Sequence, residues 1–303
     1  MSSTSPTPSS SLAPGLLRDQ HILVTGGGTG LGAGMAHHFA QLGAAITVCG
    51  RRRAPLEERA AELRALGVAA EGIACDLRKA DKVDAMVAEA EQRSGPLTGL
   101  VNNAAGNFLA FSETISSRGF DAIVDTNLKG GFHATQAVGK RWIEREQAGA
   151  VVSIVTTYAE HGGAYVLPSA MSKAGMSALT RALAVEWGPL GIRLNAIAPG
   201  PIPTKGAWDR LMPDANFEEQ MRAGVPLRRF ASKTELADLA AFLLSPNSLT
   251  LTGQIIELDG GARVAGGASF NELTRLPREQ LGKLFSALRP RPAGGERGES
   301  NGG

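Results

Sequence analysis

The 303 residues contain only two cysteines and two tyrosines, and aromatic side chains make up 5% of the chain. Each scarcity removes a class of function. Cys49 and Cys75 have no metal-ligand spacing and are too few for a disulfide framework. They read as reduced core thiols, consistent with a cytoplasmic compartment, and no metal is expected. No apolar run reaches the ~18 residues that a membrane span requires. Neither sign of charge dominates: 31 basic and 29 acidic residues leave a net charge of +2. The chain as a whole therefore lacks the electrostatic footprint of a nucleic-acid binder. With so few tyrosines, chemistry that needs a phenol is confined to Tyr158 and Tyr165.

The ends differ from the middle. "MSSTSPTPSSSLAPG" is rich in Ser, Pro and Thr, with no early Arg and no apolar h-region. It reads as a disordered leader over residues 1–17 rather than a targeting signal. "RPRPAGGERGESNGG" is a low-complexity tail, assigned to 289–303. A single domain is expected over 18–288.

Between these ends, short apolar runs alternate with helical patterns. The expected strands are His21–Thr25, Ala45–Cys49, Ala69–Cys75, Thr98–Asn102, Ala150–Val155, Arg193–Ala198 and Gln254–Leu258. "PLEERAAELRALG" and "KADKVDAMVAEAEQR" carry apolar residues at three- and four-residue spacing. Strands apolar on both faces and separated by helices imply a parallel sheet with right-handed crossovers. The expected class is α/β, a doubly wound Rossmann-type domain on a seven-stranded sheet.

The first strand runs into "TGGGTGLG", with Gly26, Gly28, Thr29, Gly30, Leu31 and Gly32 before a helix starting near Leu31. Glycines placed there let the backbone approach a pyrophosphate lying on the helix N-terminus. The second strand ends "CGRRR", where an acid would bind a ribose 2′-hydroxyl and an arginine a 2′-phosphate. Arg51 and Arg52 therefore favour NADPH/NADP+ over NAD(H). Asp76, after the third strand, is a candidate acceptor for the adenine amine, with a helix cap as its plainer role.

Five motifs in order, "TGGGTGLG", "NNAAG", "DTNLKG", Lys173 and "NAIAPGPI", resemble the short-chain dehydrogenase/reductase family over about residues 18 to 265. The resemblance implies that Asn103 lies beside the cofactor and that Lys173 binds the nicotinamide ribose. Pro199, Gly200 and Ile202 would line the carboxamide site, and Asn127 would organise a water near Lys173. It also implies a homotetramer.

One part of the family pattern is missing. The common members have Tyr-x-x-x-Lys, with a serine thirteen residues before the tyrosine; here those positions hold Ser169 and Thr156. An aliphatic hydroxyl is a poor general acid at neutral pH. The enoyl-acyl-carrier reductases of the superfamily place a tyrosine six residues before the lysine, where this chain has Leu167. Tyr158, just after the fifth strand, lies instead at the carboxyl edge where doubly wound folds bind ligands. The series "NNAAGNF", "TTYAE", "PSAMSKAG" and "PGPIPTKGAWDRL" resembles the NADPH-dependent 2,4-dienoyl-CoA reductases of the short-chain type. "SFNELTRLPREQL" extends that likeness to about residue 285.

That resemblance implies Tyr158 paired with Asn107, assisted by Ser169 and Lys173, and substrate contacts at Arg78, Phe108, Ser116 and Arg210. Lys205 is a further candidate for a coenzyme A phosphate. The plainer roles are a turn for Asn107, a wall residue for Tyr158, simple packing for Tyr165 and a helix N-cap for Ser169. Residues 204–225 break the strand–helix rhythm and are expected to form a lid. The expected activity is NADPH-dependent reduction of 2,4-dienoyl-CoA to 3-enoyl-CoA in fatty acid β-oxidation. Its rivals are a trans-2-enoyl-CoA reductase and a catalytically silent NADP(H)-binding protein.

Overall fold

The computed structural model describes residues 10–204, 215–266, 276–277, 279–281 and 283. The chain divides into two compact units, Met1–Ala262 and Arg263–Gly303. The last strand ends at Leu258, within the first unit. Within the second unit, the Leu281 amide donates to the Pro277 carbonyl and Lys283 pairs with Glu279 at 2.8 Å.

The first unit is built on seven parallel strands in the order β3-β2-β1-β4-β5-β6-β7. They are β1 (His21–Thr25), β2 (Ala45–Gly50), β3 (Ala70–Ala74), β4 (Gly99–Asn102), β5 (Gly149–Ile154), β6 (Ile192–Pro199) and β7 (Ile255–Leu258). All seven coincide with the expected strands to within a residue or two. The α/β doubly wound class follows directly from that order.

Period-2 alternation along each strand divides the core into two layers. Ile22, Val24, Val101 and Val152 face one layer, together with Met35 and Phe39 of α1 (Gly30–Gln41) and Leu56 and Leu63 of α2 (Arg53–Ala65). Leu23, Leu100 and Val151 face the other. There they meet Val83 and Val87 of α3 (Ala80–Ser94). A short α4 (Ser117–Val124) passes through one wide turn, Asp125–Lys129, into α5 (Gly130–Glu144). From α5, Trp142 is fully buried and donates its indole N–H to the Leu97 carbonyl at 2.6 Å. That bond satisfies the polar end of a large core ring.

A one-turn α6 (Tyr158–His161) precedes the long α7 (Leu167–Trp187). Pro168 falls in the first turn of α7, where its missing N–H costs nothing. α8 (Ala215–Gly224) occupies the second half of the expected lid, whose residues 205–214 lie outside the described residues. α9 (Lys233–Leu244) starts on a capping box between Ser232 and Glu235. At the other end, Leu17 is fully buried in the first core layer, with Leu12 and Leu16 packed against it. The expected leader thus ends too late at 17, because its serine-rich composition hid three leucines that have apolar partners. Among the described residues, no helix is long and apolar enough to cross a membrane.

Candidate active site

β1 and β4 are neighbours while β2 and β3 lie to the other side, so the chain reverses its winding direction between them. Beyond the carboxyl ends of such strands a crevice opens. Here it is a cleft of about 580 Å³ lined by Gly26, Gly28, Thr29, Gly30 and Leu31, Arg51, Arg52, Asp76, Arg78 and Asn103. Gly26 and Gly30 have φ of 66° and 63°, which favour glycine. A Cβ on Gly32 would lie 2.5 Å from both the Gly26 carbonyl oxygen and the Asn103 Nδ2. The turn therefore packs too tightly for any side chain there, and its bare backbone opens onto the cleft. A dinucleotide pyrophosphate fits this cradle, with Arg51 and Arg52 in the same lining.

Thr25 ties the cradle to β4. Its hydroxyl accepts from the Asn103 and Ala104 amides, at 3.0 and 3.1 Å, and donates to the Val101 carbonyl at 3.2 Å. The Asn103 side chain adds a bond from Nδ2 to the Thr25 carbonyl at 2.9 Å. Thr25 was not singled out from the sequence, although it opens the glycine motif. Thr126 and Thr204 are further cleft residues; each lies within a quoted motif, "DTNLKG" and "PGPIPTKGAWDRL", but neither was singled out from it.

Asp76 and Arg78 form a bidentate pair in the cleft wall, Nε to Oδ1 at 2.9 Å and Nη2 to Oδ2 at 2.6 Å. Hydrogen bonds from Arg78 hold the Asp76 carboxyl down at about 2, with Arg51 contributing attraction. The plainer reading of Asp76 as a helix cap fails, because α3 starts from Lys79. Arg78, expected on the substrate side, shares its wall with the candidate cofactor residues.

The donor group forms where three segments converge. Tyr158 opens α6, and the Glu160–Arg181 pair at 2.7 Å ties that turn to α7. The Tyr158 hydroxyl lies 3.2 Å from the Ser169 hydroxyl and accepts the Asn107 Nδ2 at 3.3 Å. Asn107 is oriented by its own loop, its Oδ1 accepting the Phe108 amide at 2.9 Å. Ser169 sits inside the first turn of α7, whose N-cap is Val166, so the N-cap reading of Ser169 is wrong. Its side chain is buried and turned toward the phenol.

Lys173, one helical turn further on, is buried at 7% exposure and donates from Nζ to the Ile154 carbonyl at 2.5 Å. Burial pulls its ammonium from 10.5 down to about 8. Asn127, inside the wide turn, exchanges two hydrogen bonds with Gly106: the Gly106 amide to Oδ1 at 2.8 Å, and Nδ2 to the Gly106 carbonyl at 2.9 Å. Asn127 therefore fixes the residue that precedes Asn107. Such a single widened turn is common beside functional sites.

Pro199 ends β6, the Gly200 amide donates to the Leu258 carbonyl at 3.0 Å, and Ile202 is buried. Ser116 caps α4, its hydroxyl accepting the Gly119 amide at 3.2 Å. The Phe108 ring tip would lie 3.8 Å from a Cβ on Gly119. Lys205 and Arg210 fall outside the described residues.

Residues 26–263 match the family described as Enoyl-(Acyl carrier protein) reductase. A Caenorhabditis elegans protein named as a probable 2,4-dienoyl-CoA reductase, (3E)-enoyl-CoA-producing, is 40% identical over 254 residues, 82% of each chain. A Bacillus subtilis protein named as a probable 2,4-dienoyl-CoA reductase, (2E)-enoyl-CoA-producing, is also 40% identical, over 79% of this chain and 95% of its own. Among solved structures, a gluconate 5-dehydrogenase from Burkholderia cenocepacia in complex with NADP and tartrate superposes with a TM-score of 0.78. It is 31% identical and covers 82% of this chain and 96% of its own. The glycine cradle, the buried lysine helix, the sheet order and these likenesses agree: the chain is an oxidoreductase that belongs to the short-chain dehydrogenase/reductase family.

Proposed function

We propose that this chain uses NADPH to reduce 2,4-dienoyl-CoA thioesters to 3-enoyl-CoA in the β-oxidation of unsaturated fatty acids. The observation that carries the reading is the hydrogen-bonded group of Asn107, Tyr158 and Ser169, assembled where the family's usual tyrosine is replaced by serine. The names of the two relatives support the substrate class. The arginines of the cleft, and a structural neighbour solved with NADP, support the phosphorylated cofactor.

When bound, reduced nicotinamide supplies a hydride. The chain supplies the rest. Gly26 to Gly32 hold the pyrophosphate, Arg51 and Arg52 the 2′-phosphate, Asp76 the adenine, Asn103, Pro199, Gly200 and Ile202 the nicotinamide half, and Lys173 the ribose hydroxyls. The Tyr158 hydroxyl and the Asn107 amide donate to the thioester oxygen as negative charge collects there. Removing one such donor commonly costs ~3 kcal/mol in the barrier. The resulting dienolate is nucleophilic at C2 and at C4, which accounts for the two products in the relatives' names. Protonation at C2 gives the 3-enoyl ester, and Ser169, within hydrogen-bond reach of the phenol, is the residue placed to relay that proton. Arg78, Lys205 and Arg210 are assigned to the coenzyme A end, Phe108 and Ser116 to the acyl thioester, and residues 204–225 to a lid. Assembly is as a homotetramer in the cytoplasm; Phe132 on α5 and Val185 on α7, exposed at 43% and 79%, are apolar surface for it.

The test follows NADPH absorbance with hexa-2,4-dienoyl-CoA, crotonyl-CoA and acetoacetyl-CoA, then repeats with NADH. Rapid turnover is expected for the dienoyl ester with NADPH, and the product's olefinic NMR signals should place the double bond at C3. Tyr158→Phe should lower kcat by roughly 100-fold while NADPH binding persists. Equal turnover of crotonyl-CoA, or near-normal turnover by Tyr158→Phe, would overturn the reading. Binding of NADPH with no turnover of any ester would point to the silent binding protein.

A further inference from the structure

Tyr165 has no role in the donor group, yet its backbone is strained. Its φ of 66° is a left-handed conformation that bulky side chains rarely adopt. Such strain persists only where the surroundings over-determine it, and it clusters at ligand clamps. Two contacts hold it here. The Tyr165 carbonyl accepts the Ala110 amide at 3.0 Å, and its ring meets Phe111 edge-to-face with centroids 5.6 Å apart.

Those contacts join the two chain segments that leave the donor pair. One runs from Asn107 to Phe111. The other runs from Tyr158 through Gly163, whose Cβ position lies 3.1 Å from the Tyr158 Cβ, to Tyr165. The bridge is apolar and open: Leu109, Phe111, Tyr165 and Leu167 are 49%, 62%, 54% and 41% exposed. A groove of about 330 Å³ is lined by Ser112, Ile115, Ser117, Phe120, Asp121 and Leu167; Ser112 follows Phe111 in the chain and Leu167 lies two residues after Tyr165. A thioester held at Asn107 and Tyr158 must send its acyl chain away from the donors, and this surface begins four residues from one and seven from the other.

We propose that the Phe111–Tyr165 bridge and the groove beyond it form an acyl-tail subsite that sets chain-length preference toward medium and long chains. The inference rests on the acyl-CoA reading of the donor pair and names the part of the substrate this surface takes. Each methylene buried there strengthens binding by up to roughly fourfold.

The experiment compares kcat/KM for 2,4-dienoyl-CoA esters of six, eight, ten and twelve carbons in the wild type and three variants. Phe111→Ala removes one ring. Tyr165→Asn removes the other while suiting the left-handed backbone. Tyr165→Phe keeps the ring and should preserve the wild-type profile. The wild-type preference for twelve over six carbons should reach at least tenfold and collapse to under threefold in Phe111→Ala and Tyr165→Asn. Equal loss at every length would mean that the bridge only positions the donors, and would overturn the proposal. So would an unchanged ratio accompanied by a fall in solution mass, which would make the rings an interface between copies. Calorimetry with hexanoyl-CoA and dodecanoyl-CoA in the presence of NADP+ separates this idea from the reaction itself. Length-dependent affinity lost in the variants supports the subsite even if no dienoyl ester is turned over. Length-independent affinity overturns the subsite even if turnover is rapid.

Discussion

Lys173 has 7% of its surface exposed, and its Nζ reaches the Ile154 carbonyl. No carboxylate takes part in its shift; desolvation alone lowers its pKa from 10.5 to about 8. For a base, a lowered pKa means the cation is disfavoured: Lys173 is charged below pH about 8 and neutral above it. If its charge supports binding and reaction, kcat/KM, which reports the free enzyme, should fall as pH rises through about 8. An ordinary phenol would place that limb near ~10 instead. Lys173→Arg, charged at every accessible pH, should lose the limb even if its rate is poor. A wild-type profile flat to pH 9.5 would exclude a role for the charge. At this scale the sequence was partly legible. A place just after the fifth strand, with the resemblance to the dienoyl-CoA reductases, pointed to Tyr158 as the phenol, and the structure brings it to Ser169 and Asn107. Thr25 was not legible, because a threonine before glycines carries no pattern that separates a strand end from the knot of four hydrogen bonds around it. The Asp76–Arg78 pair was hidden for a similar reason: residues two apart were read separately, one for cofactor and one for substrate.

The elements divide into those that announced themselves and those that did not. The strands did, because runs such as "HILVT" and "GAVVSI" are short and largely apolar on both faces. The wide turn Asp125–Lys129 did not, since "DTNLK" is five residues long with one apolar side chain, too little to show any period. α7 was marked only by its lysine, because its buried face carries Ser169, Ser172, Ser177 and Thr180. The turn from β1 into α1 makes the sharpest claim that can be checked. Gly32 stands where a methyl would meet both Gly26 and Asn103 at 2.5 Å, contacts to backbone and to an amide already engaged with Thr25. Gly32→Ala should therefore force the cradle open. Overpacking of this kind typically costs 1–3 kcal/mol. The variant should unfold at lower urea and bind NADPH at least tenfold more weakly. Gly34→Ala, on the same helix with nothing closer than 3.9 Å, should change neither. Equal effects of the two substitutions would show that helix propensity, not the cradle, governs the first.

On the scale of the whole first unit, the candidate cofactor cleft collects residues from the ends of β1, β2, β3 and β4 and from the start of α1. These segments lie on both sides of the reversal in strand order, so a ligand spanning the cleft joins halves of the sheet that the chain itself connects only through crossovers. The leader boundary was misplaced for a reason that also belongs to this scale: the packing partners of Leu17 lie in the first core layer, invisible to local composition. Binding across the cleft should report on the fold as a unit. A ligand at 100 times its dissociation constant adds about 2.7 kcal/mol to stability if the unfolded chain does not bind it. For a domain of this size, 1 kcal/mol moves the midpoint by about 2–4 °C, so NADPH should raise it by about 5–10 °C. NADH at the same concentration should raise it far less, because Arg51 and Arg52 would have no 2′-phosphate to hold. Arg51→Ala combined with Arg52→Ala should bring the two nucleotides to the same shift, and Gly32→Ala should shrink both together. Scanning calorimetry thus separates the arginines, which select between nucleotides, from the glycine turn, which both nucleotides need. Equal shifts for NADPH and NADH in the wild type would remove the phosphorylated cofactor from the reading and leave the fold untouched.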